Sequence, residues 1–299
     1  MLREFQGERV ELEADERSGC VLKTPDARYH VLGDDPHDYP ELPKLDFEGS
    51  VTLKANDLVQ MVARTHFAAA TEKTRYAMNG ILLDLKDRRL RLVATDGKRL
   101  ALAERTLDDS VAKAVFAVVP TKGLTLLRNL LAQGEDTVQL RFEESQVFVR
   151  TTRAVLSARL VEGHFPPYED VLPKALEKKL DVDREAFQAA LRRASLLTTR
   201  ESQAVRFQFS REGLELTARV PEVGESRVRF GIDYPYEKLE VGFNPQFLQD
   251  ALKVLESRQV RVELRDGQSA ALVKELQQAE GGPAEVPGFL YVIMPINLG

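Results

Sequence analysis

The stretch "AVVPTKGLTLLRNLLAQGEDTVQLRFEESQVFVR" (117–150) has a counterpart later in the chain, "EVGFNPQFLQDALKVLESRQVRVELRDGQSAALVK" (240–274). Each reads as a strand, a proline close to a helix start, an amphipathic helix of about three turns and two alternating strands. Leu127 aligns with Leu252, and apolar residues upstream align with later residues at nearly the same separation. The unit therefore recurs after about 125 residues. Two copies of this unit predict an α+β fold with antiparallel sheets and few helices.

The repeat predicts three segments that differ in completeness. Residues 48–173 and 174–299 each hold one full copy, and residues 1–47 look like the end of a third copy. The third assignment rests on the Tyr-Pro pair at Tyr39, which aligns with the Phe-Pro pair at Phe165. A full third copy would need about 70–80 further residues at the amino terminus. A naturally short chain and a misplaced start both fit this pattern.

The composition is that of a globular protein with about two domains. The chain has 299 residues, of which 43% are hydrophobic and 30% charged, and its net charge is −5. No apolar run reaches the ~20 residues that cross a bilayer, and no signal peptide is visible. The single cysteine, Cys20, excludes an internal disulfide and indicates a reducing cytoplasm. The histidines and the cysteine lack metal-ligand spacing, so neither a metal nor another cofactor is expected.

Sequence motifs of catalysis are missing. We find no phosphate-binding G-x-x-x-x-G-K-[ST], no H-E-x-x-H and no nucleophile elbow. His164 stands in a predicted turn, and no serine, cysteine or aspartate arrangement points to it. The sequence therefore favours a binding protein over an enzyme.

Four segments, taken together, resemble the bacterial DNA polymerase III β subunit, the sliding-clamp family. They are "RYAMNGILLDLKDRRLRLVATDGKRLALAE" (75–104), "HFPPYEDVLP" (164–173), "VGFNPQFLQDAL" (241–252) and "YVIMPINL" (291–298), in the family's order. The resemblance implies a DNA-clamp fold of repeated domains, with helices lining a central hole and antiparallel sheets outside. It implies a non-catalytic processivity factor that encircles duplex DNA of any sequence. It also implies three kinds of protein contact: docking of DNA polymerase III α and other clamp-binding proteins, opening by a clamp loader, and a head-to-tail homodimer.

The family's partner peptides bind a hydrophobic pocket between its second and third domains, and this chain matches the pocket on both sides. The matching residues are Met78, Thr95, Gly97, Lys98, Arg99, Leu100, Pro166, Val171, Asn244, Phe247, Val292, Met294, Pro295 and Ile296. The family often has His at the position of Lys98 and Tyr at that of Phe247, and it commonly ends Met-Pro-Met-Arg-Leu. We therefore expect the pocket to persist with a changed peptide preference.

The residues of this pocket also have plain structural explanations. Asp96-Gly97 predicts a tight turn between two strands, which by itself is an ordinary hairpin. The apolar carboxyl-terminal strand by itself is ordinary core. A Met-Pro-Ile edge is nevertheless soft and able to re-pack around different apolar anchors. The pocket prediction rests on the joint match of the two segments.

Cations beside the buried stripes of the predicted helices are candidates for contact with DNA. They are Arg64, Lys122, Arg128, Arg192, Arg193 and Lys253. Such residues contact phosphates without reading bases, which gives binding that depends on salt and not on sequence. Solvated helix faces carry Lys and Arg in any protein, so each single assignment also fits an ordinary surface.

The family's subunit interface is matched on two separate segments. The matching residues are Arg28, Tyr29, Val31, Leu196 and Leu197. Leu196 and Leu197 also fit ordinary core at the end of a helix. Because residues 1–47 lack the upstream half that would cover their sheet, we expect a dimer weaker than that of a complete clamp. The alternative is a clamp-derived peptide-binding module that closes no ring, which retention on circular versus linear DNA would distinguish.

Overall fold

The structure, a computed structural model, describes residues 9–14, 18–39, 45–72, 76–131, 136–174, 176–199, 204–221 and 223–298. The chain divides into two units, Met1–Asp46 and Phe47–Gly299. The first unit contains an antiparallel sheet in the order β1-β2-β3. Its strands are β1 (Glu11–Ala14), β2 (Cys20–Lys23) and β3 (Arg28–Val31). Leu22 is the one buried hydrophobic side chain that the structure describes in this unit.

The second unit contains two successive copies of one arrangement, which we call the first and the second repeat. The strands of the first repeat are β4 (Val51–Lys54), β5 (Gly80–Lys86), β6 (Arg89–Thr95), β7 (Arg99–Thr106), β8 (Val115–Pro120), β9 (Thr137–Phe142), β10 (Gln146–Arg150) and β11 (Val155–Arg159). Those of the second repeat are β12 (Lys178–Asp183), β13 (Val205–Ser210), β14 (Gly213–Val220), β15 (Gly224–Phe230), β16 (Leu239–Phe243), β17 (Gln259–Leu264), β18 (Ala271–Ala279), β19 (Gly282–Glu285) and β20 (Phe289–Ile293). The helices are α1 (Ala55–Thr65), α2 (Thr121–Leu131), α3 (Arg184–Ala194) and α4 (Pro245–Lys253). Each repeat runs strand, helix, four strands, helix and final strands. The sequence pattern predicts the second half of this order, a strand, a helix that begins near a proline and further strands.

Each helix forms because one of its faces carries an apolar stripe that packs in the core. In the second repeat, a capping side chain also fixes the residue at which each helix begins. Asp183 caps α3 by accepting a hydrogen bond from the backbone N–H of Ala186 at 3.0 Å. Asn244 caps α4 in the same way, and Pro245 fits the first turn, where no backbone donor is needed. The helices pack in pairs, α1 with α2 and α3 with α4. In the described part of the chain, no helix is long and apolar enough to cross a membrane.

One antiparallel sheet joins the two repeats. Its order is β12-β17-β18-β20-β7-β6-β5-β8, with β19 paired to β18, so strand β20 of the second repeat lies beside β7 of the first. Each repeat also has its own four-stranded sheet, β11-β10-β9-β4 and β15-β14-β13-β16. Alternate residues of β7 and β20 enter two different apolar clusters, as the two faces of a strand require. The larger cluster contains the helix stripes, and the smaller one contains the segment that links the repeats.

Arg64 at the end of α1 does not belong to a helix face open to DNA. Its side chain is 9% exposed, and its Nη2 lies 2.9 Å from Oε2 of Glu275 on β18, which is 2% exposed. The other oxygen of Glu275 accepts hydrogen bonds from the backbone N–H groups of Glu256 and Ser257. The prediction that Arg64 faces DNA is therefore wrong, because its guanidinium is used in a buried ion pair between the two repeats.

Replacing Arg64 by Ala is expected to lower the free energy of unfolding by about 3 kcal/mol, because it leaves the buried charge of Glu275 without its counter-ion. Arg192 on α3 is exposed and provides the matched control, for which Arg192→Ala should change stability by less than about 0.5 kcal/mol. Denaturant unfolding of the three proteins measures both effects. Equal midpoints for the two variants would show that the ion pair contributes nothing to the joint between the repeats.

Candidate functional site

The turn between β6 and β7 is fixed by its own side chains. The Thr95 hydroxyl donates to the backbone oxygen of Arg99 at 2.7 Å and accepts from the N–H of Gly97 at 3.1 Å. Oδ1 of Asp96 accepts from the N–H groups of Lys98 and Arg99. Gly97 has a φ of 85°, a conformation that favours glycine. The Asp-Gly turn therefore holds the first residues of β7 in a defined position.

The pairing of β7 with β20 brings the carboxyl-terminal segment to this turn. Leu100 lies opposite Val292 in the register, and each is 2% exposed. Beyond the strand the ladder continues, since the N–H of Met294 donates to the oxygen of Lys98 at 2.9 Å. Met294 is 42% exposed, so an apolar side chain lies open to solvent beside a buried apolar floor.

The segment that links the repeats packs against the same floor. Phe165 and Tyr168 are buried in one cluster with Leu100 and Val292. The 3₁₀ turn Tyr168–Val171 follows, and it leaves Val171 49% exposed. The link therefore presents an exposed apolar side chain next to residues that are anchored in the floor.

Tyr168 anchors this link to the sheet through its hydroxyl. The hydroxyl donates to Oδ2 of Asp84 on β5 at 2.6 Å and accepts from Nη1 of Arg91 on β6 at 3.2 Å. Arg91 also forms ion pairs with Glu104 on β7 and with Glu169. Burial raises the pKa of Tyr168 to about 12, and the bond to Asp84 adds to the rise while Arg91 opposes it.

Arg99, the first residue of β7, connects the first repeat to the second through its side chain. Its Nε lies 3.0 Å from Oδ2 of Asp96, and its Nη1 lies 2.7 Å from Oδ2 of Asp250 on α4. The guanidinium carbon lies 4.2 Å from the centre of the Phe247 ring, within the range of a cation–π contact. Burial opposes the charge, but the hydrogen bond to Asp250 and the neighbouring carboxylates outweigh it and raise the pKa of Arg99.

The predicted pocket residues differ widely in their exposure to solvent. Buried members form the floor and supports: Thr95, Leu100, Asn244 and Val292. Partly buried members are Met78, Arg99, Pro166, Phe247, Pro295 and Ile296. Exposed members are Gly97, Lys98, Val171 and Met294. Their role in binding stays a prediction.

Several residues of this site were not predicted. Asp250 and Asp96 hold Arg99, and Tyr168 and Arg91 hold the link. Each of these contacts, except that of Asp96, joins residues that are far apart in the chain, so local patterns carried no signal for them. Asp96 could have been found, since an Asp before Gly in a turn commonly accepts from the following N–H groups.

The remaining predicted cations lie exposed on the helices. Lys122 and Arg128 are on α2, Arg192 and Arg193 on α3, and Lys253 at the end of α4. All five lie off the buried stripes of their helices, so none of their side chains is part of the core. Contact with DNA stays a prediction for these residues.

The predicted interface residues fall on two exposed features. Arg28, Tyr29 and Val31 are exposed on β3, which is an edge strand of its sheet. Leu196, 79% exposed, and Leu197, partly buried, belong to the 3₁₀ turn Ser195–Leu197 after α3. A subunit contact through them stays a prediction.

Among the described residues, no group of three or more His, Cys, Asp or Glu side chains is arranged to hold a metal.

Two family models match the second unit in succession. The model described as the DNA polymerase III beta subunit, central domain, matches residues 52–167. The model described as the DNA polymerase III beta subunit, C-terminal domain, matches residues 169–295.

Individual relatives agree with the family models over nearly the whole chain. The chain is 31% identical to the beta sliding clamp of Pseudomonas putida over 289 residues, which is 97% of this chain and 76% of that protein. It is 31% identical to the beta sliding clamp of Vibrio cholerae, over 98% of this chain and 75% of that protein. A crystal structure of the Pseudomonas aeruginosa sliding clamp bound to griselimycin superposes with a TM-score of 0.87 at 30% identity, covering 97% of this chain and 76% of that one.

The Tyr168 hydroxyl gives the stability of the protein a dependence on alkaline pH. The folded state raises the tyrosine pKa from 10.0 to about 12, so the protonated form is favoured by folding. The resulting stabilisation is fully present below pH 10 and is lost as the pH rises toward 12. Tyr168→Phe should lower the free energy of unfolding by about 1–3 kcal/mol at pH 8, and its difference from the unaltered protein should shrink by pH 12. Tyr39→Phe is the control, since Tyr39 is 72% exposed; a constant difference for Tyr168→Phe across this range would contradict the assignment.

Proposed function

The chain belongs to the DNA polymerase III beta subunit family of sliding clamps, and from this membership we infer that it encircles duplex DNA and tethers replication proteins to it. The single observation that carries the tethering role is the pairing of β7 with β20. That pairing brings an apolar floor, the Asp-Gly turn and the exposed side chain of Met294 together at the joint between the two repeats.

The ligand that suits this joint is a short peptide with apolar anchors. Val171 and Met294 are exposed apolar side chains, and the segments that carry them adjoin a floor that contains Leu100 and Val292. A methionine beside such a floor adapts to side chains of different shape. A few apolar anchors that enter a preformed groove would carry most of the binding energy. We therefore propose that peptides with a Gln and a downstream Leu-Phe pair bind here.

The partners follow from this peptide site and from the family. We propose that DNA polymerase III α and other proteins with such peptides share the pocket, and that a clamp loader opens the ring. The chain itself would act as a non-catalytic processivity subunit of the polymerase in the cytoplasm. The polymerisation chemistry would then lie entirely in the tethered enzyme.

Contact with DNA would come from the exposed cations of α2, α3 and α4. Arg192 and Arg193 are adjacent in the last turn of α3 and lie off its buried stripe. Arginines placed in this way bind phosphate oxygens without selecting a sequence. The net charge of −5 fits a protein that holds DNA by encircling it and needs only a modest local attraction.

Ring closure would use a second copy of the chain. In the second repeat, β15 is an edge strand, and Leu196 and Val223 expose apolar side chains at its end of the sheet. In the first unit, β3 is also an edge strand. We propose a head-to-tail homodimer in which one copy's β3 pairs with the β15 edge of the other, so that backbone groups at both edges gain partners.

Met294→Ala is expected to weaken binding of the Gln/Leu-Phe peptide by about 1–3 kcal/mol, because it removes an apolar side chain that the peptide would cover. Isothermal titration calorimetry measures the change. Leu126, 52% exposed on α2, gives the matched control Leu126→Ala, which should leave Kd unchanged. Equal Kd values for Met294→Ala and the unaltered protein would remove Met294 from the site.

Charge reversal at Arg192 and Arg193 should weaken association with duplex DNA without unfolding the protein. Because each lost phosphate contact lowers the dependence of log K on log salt by about one, the double variant should reduce that slope by about two. Fluorescence anisotropy at several salt concentrations measures it. Lys86 and Arg211 are exposed on strand β5 and on the β13–β14 turn, and reversing them changes net charge equally. The assignment fails if both double variants bind alike.

A further inference from the structure

The segment after β20 crosses from the first repeat to the second through two backbone hydrogen bonds. The N–H of Met294 donates to the oxygen of Lys98, and the N–H of Ile296 donates to the oxygen of Gly242 on β16 at 2.8 Å. Pro295 between them has no N–H to donate. The position of Met294 and Pro295 therefore depends on one anchor on each side. We call residues 294–298 the tail.

The second anchor is possible because β16 has an open edge. In the sheet β15-β14-β13-β16, one edge of β16 pairs with β13, and Gly242 forms an isolated antiparallel bridge with Ile296 on the other. The tail thus adds one antiparallel bridge to the open edge of β16 without being part of its sheet. A contact of this kind depends on how closely the two backbones approach.

Gly242 is the residue that permits this approach. A Cβ atom at position 242 would lie 2.5 Å from the oxygen of Ile296 and 2.7 Å from Cδ2 of Leu298. The first contact is with backbone, which has little freedom to move aside while the bridge persists. Gly242 is not in the left-handed region of φ, so the need for glycine here comes from space and not from backbone conformation.

We propose that Gly242 is a positioning residue for the peptide pocket: its missing side chain lets the tail lie on β16, and this contact sets Met294 and Pro295 as a wall of the site. The inference rests on the proposed peptide site. Gly242 itself is buried beneath the tail, so it would act on the peptide only through the tail. Any side chain at position 242 lifts the tail from β16 and withdraws Met294 from the floor formed by Leu100 and Val292.

Methionine methyl resonances report the tail and the fold separately. The chain has four methionines, and with 13C-methyl labelling Met294 reports the tail while Met61, fully buried in the core, reports the fold. Gly242→Ala introduces the clash. Gly231→Ala is the matched control, since a Cβ there meets nothing within 4 Å. Ile296→Pro releases the tail by a second route, because it removes the N–H that Gly242 accepts.

Gly242→Ala and Ile296→Pro are both expected to shift the Met294 resonance, to leave Met61 in place and to raise Kd for the Gln/Leu-Phe peptide at least tenfold. Gly231→Ala should match the unaltered protein in all three readings. If Gly242→Ala disturbs Met61, the Met294 resonance of Ile296→Pro is the deciding reading, because Ile296 is itself a predicted pocket residue and the Kd of that variant also reports the loss of its side chain. A Met294 resonance that stays in place in Ile296→Pro would then overturn the proposal.

Two results would overturn the proposal. The first is an unmoved Met294 resonance in Gly242→Ala, and the second is a moved resonance with an unchanged Kd in either tail variant. A failure of the unaltered protein to bind the peptide would instead overturn the proposed peptide site, and the Met294 resonance would then decide separately whether Gly242 holds the tail.

Discussion

The antiparallel pair of β7 and β20 is the contact on which the second unit depends. It turns the separate halves of two repeats into one continuous sheet and leaves the helix pairs on one face of it. The same pair fixes the register Leu100 to Val292, which brings the Asp-Gly turn of the first repeat to the end of the second. Because side chains alternate along a strand, one residue of slip would exchange the floor of the site with the core beneath the helices. Fold and candidate site therefore share one constraint.

Charged side chains secure this joint on the helix side of the sheet. Arg64 and Glu275 form a buried ion pair there, and Arg99 and Asp250 form a partly buried one near the candidate site. A buried charge is costly when its partner moves away, so such pairs favour a single orientation of the repeats more than they add net stability. A peptide site built at a joint between two bodies requires this kind of fixed orientation, since its two walls come from different repeats.

Local patterns in the sequence predicted the parts of this structure that local physics determines. Apolar spacing predicted the helices and the repeat, and the Asp96-Gly97 turn was evident because few residues other than glycine adopt its conformation. Arg64 was misassigned because spacing alone cannot show a partner on β18. The same reason hid the contacts of Tyr168 with Asp84 and of Arg99 with Asp250, which depend on tertiary packing. Resemblance to the clamp family supplied the site residues, which periodicity could not have selected.

The central claim is that the joint between the repeats is a docking site for short peptides with apolar anchors. A crystal structure of the protein with the Gln/Leu-Phe peptide tests this claim most directly. The account predicts that the Leu-Phe pair lies on Leu100 and Val292, between Val171 and Met294. A peptide bound elsewhere on the protein, with this joint empty, would contradict it.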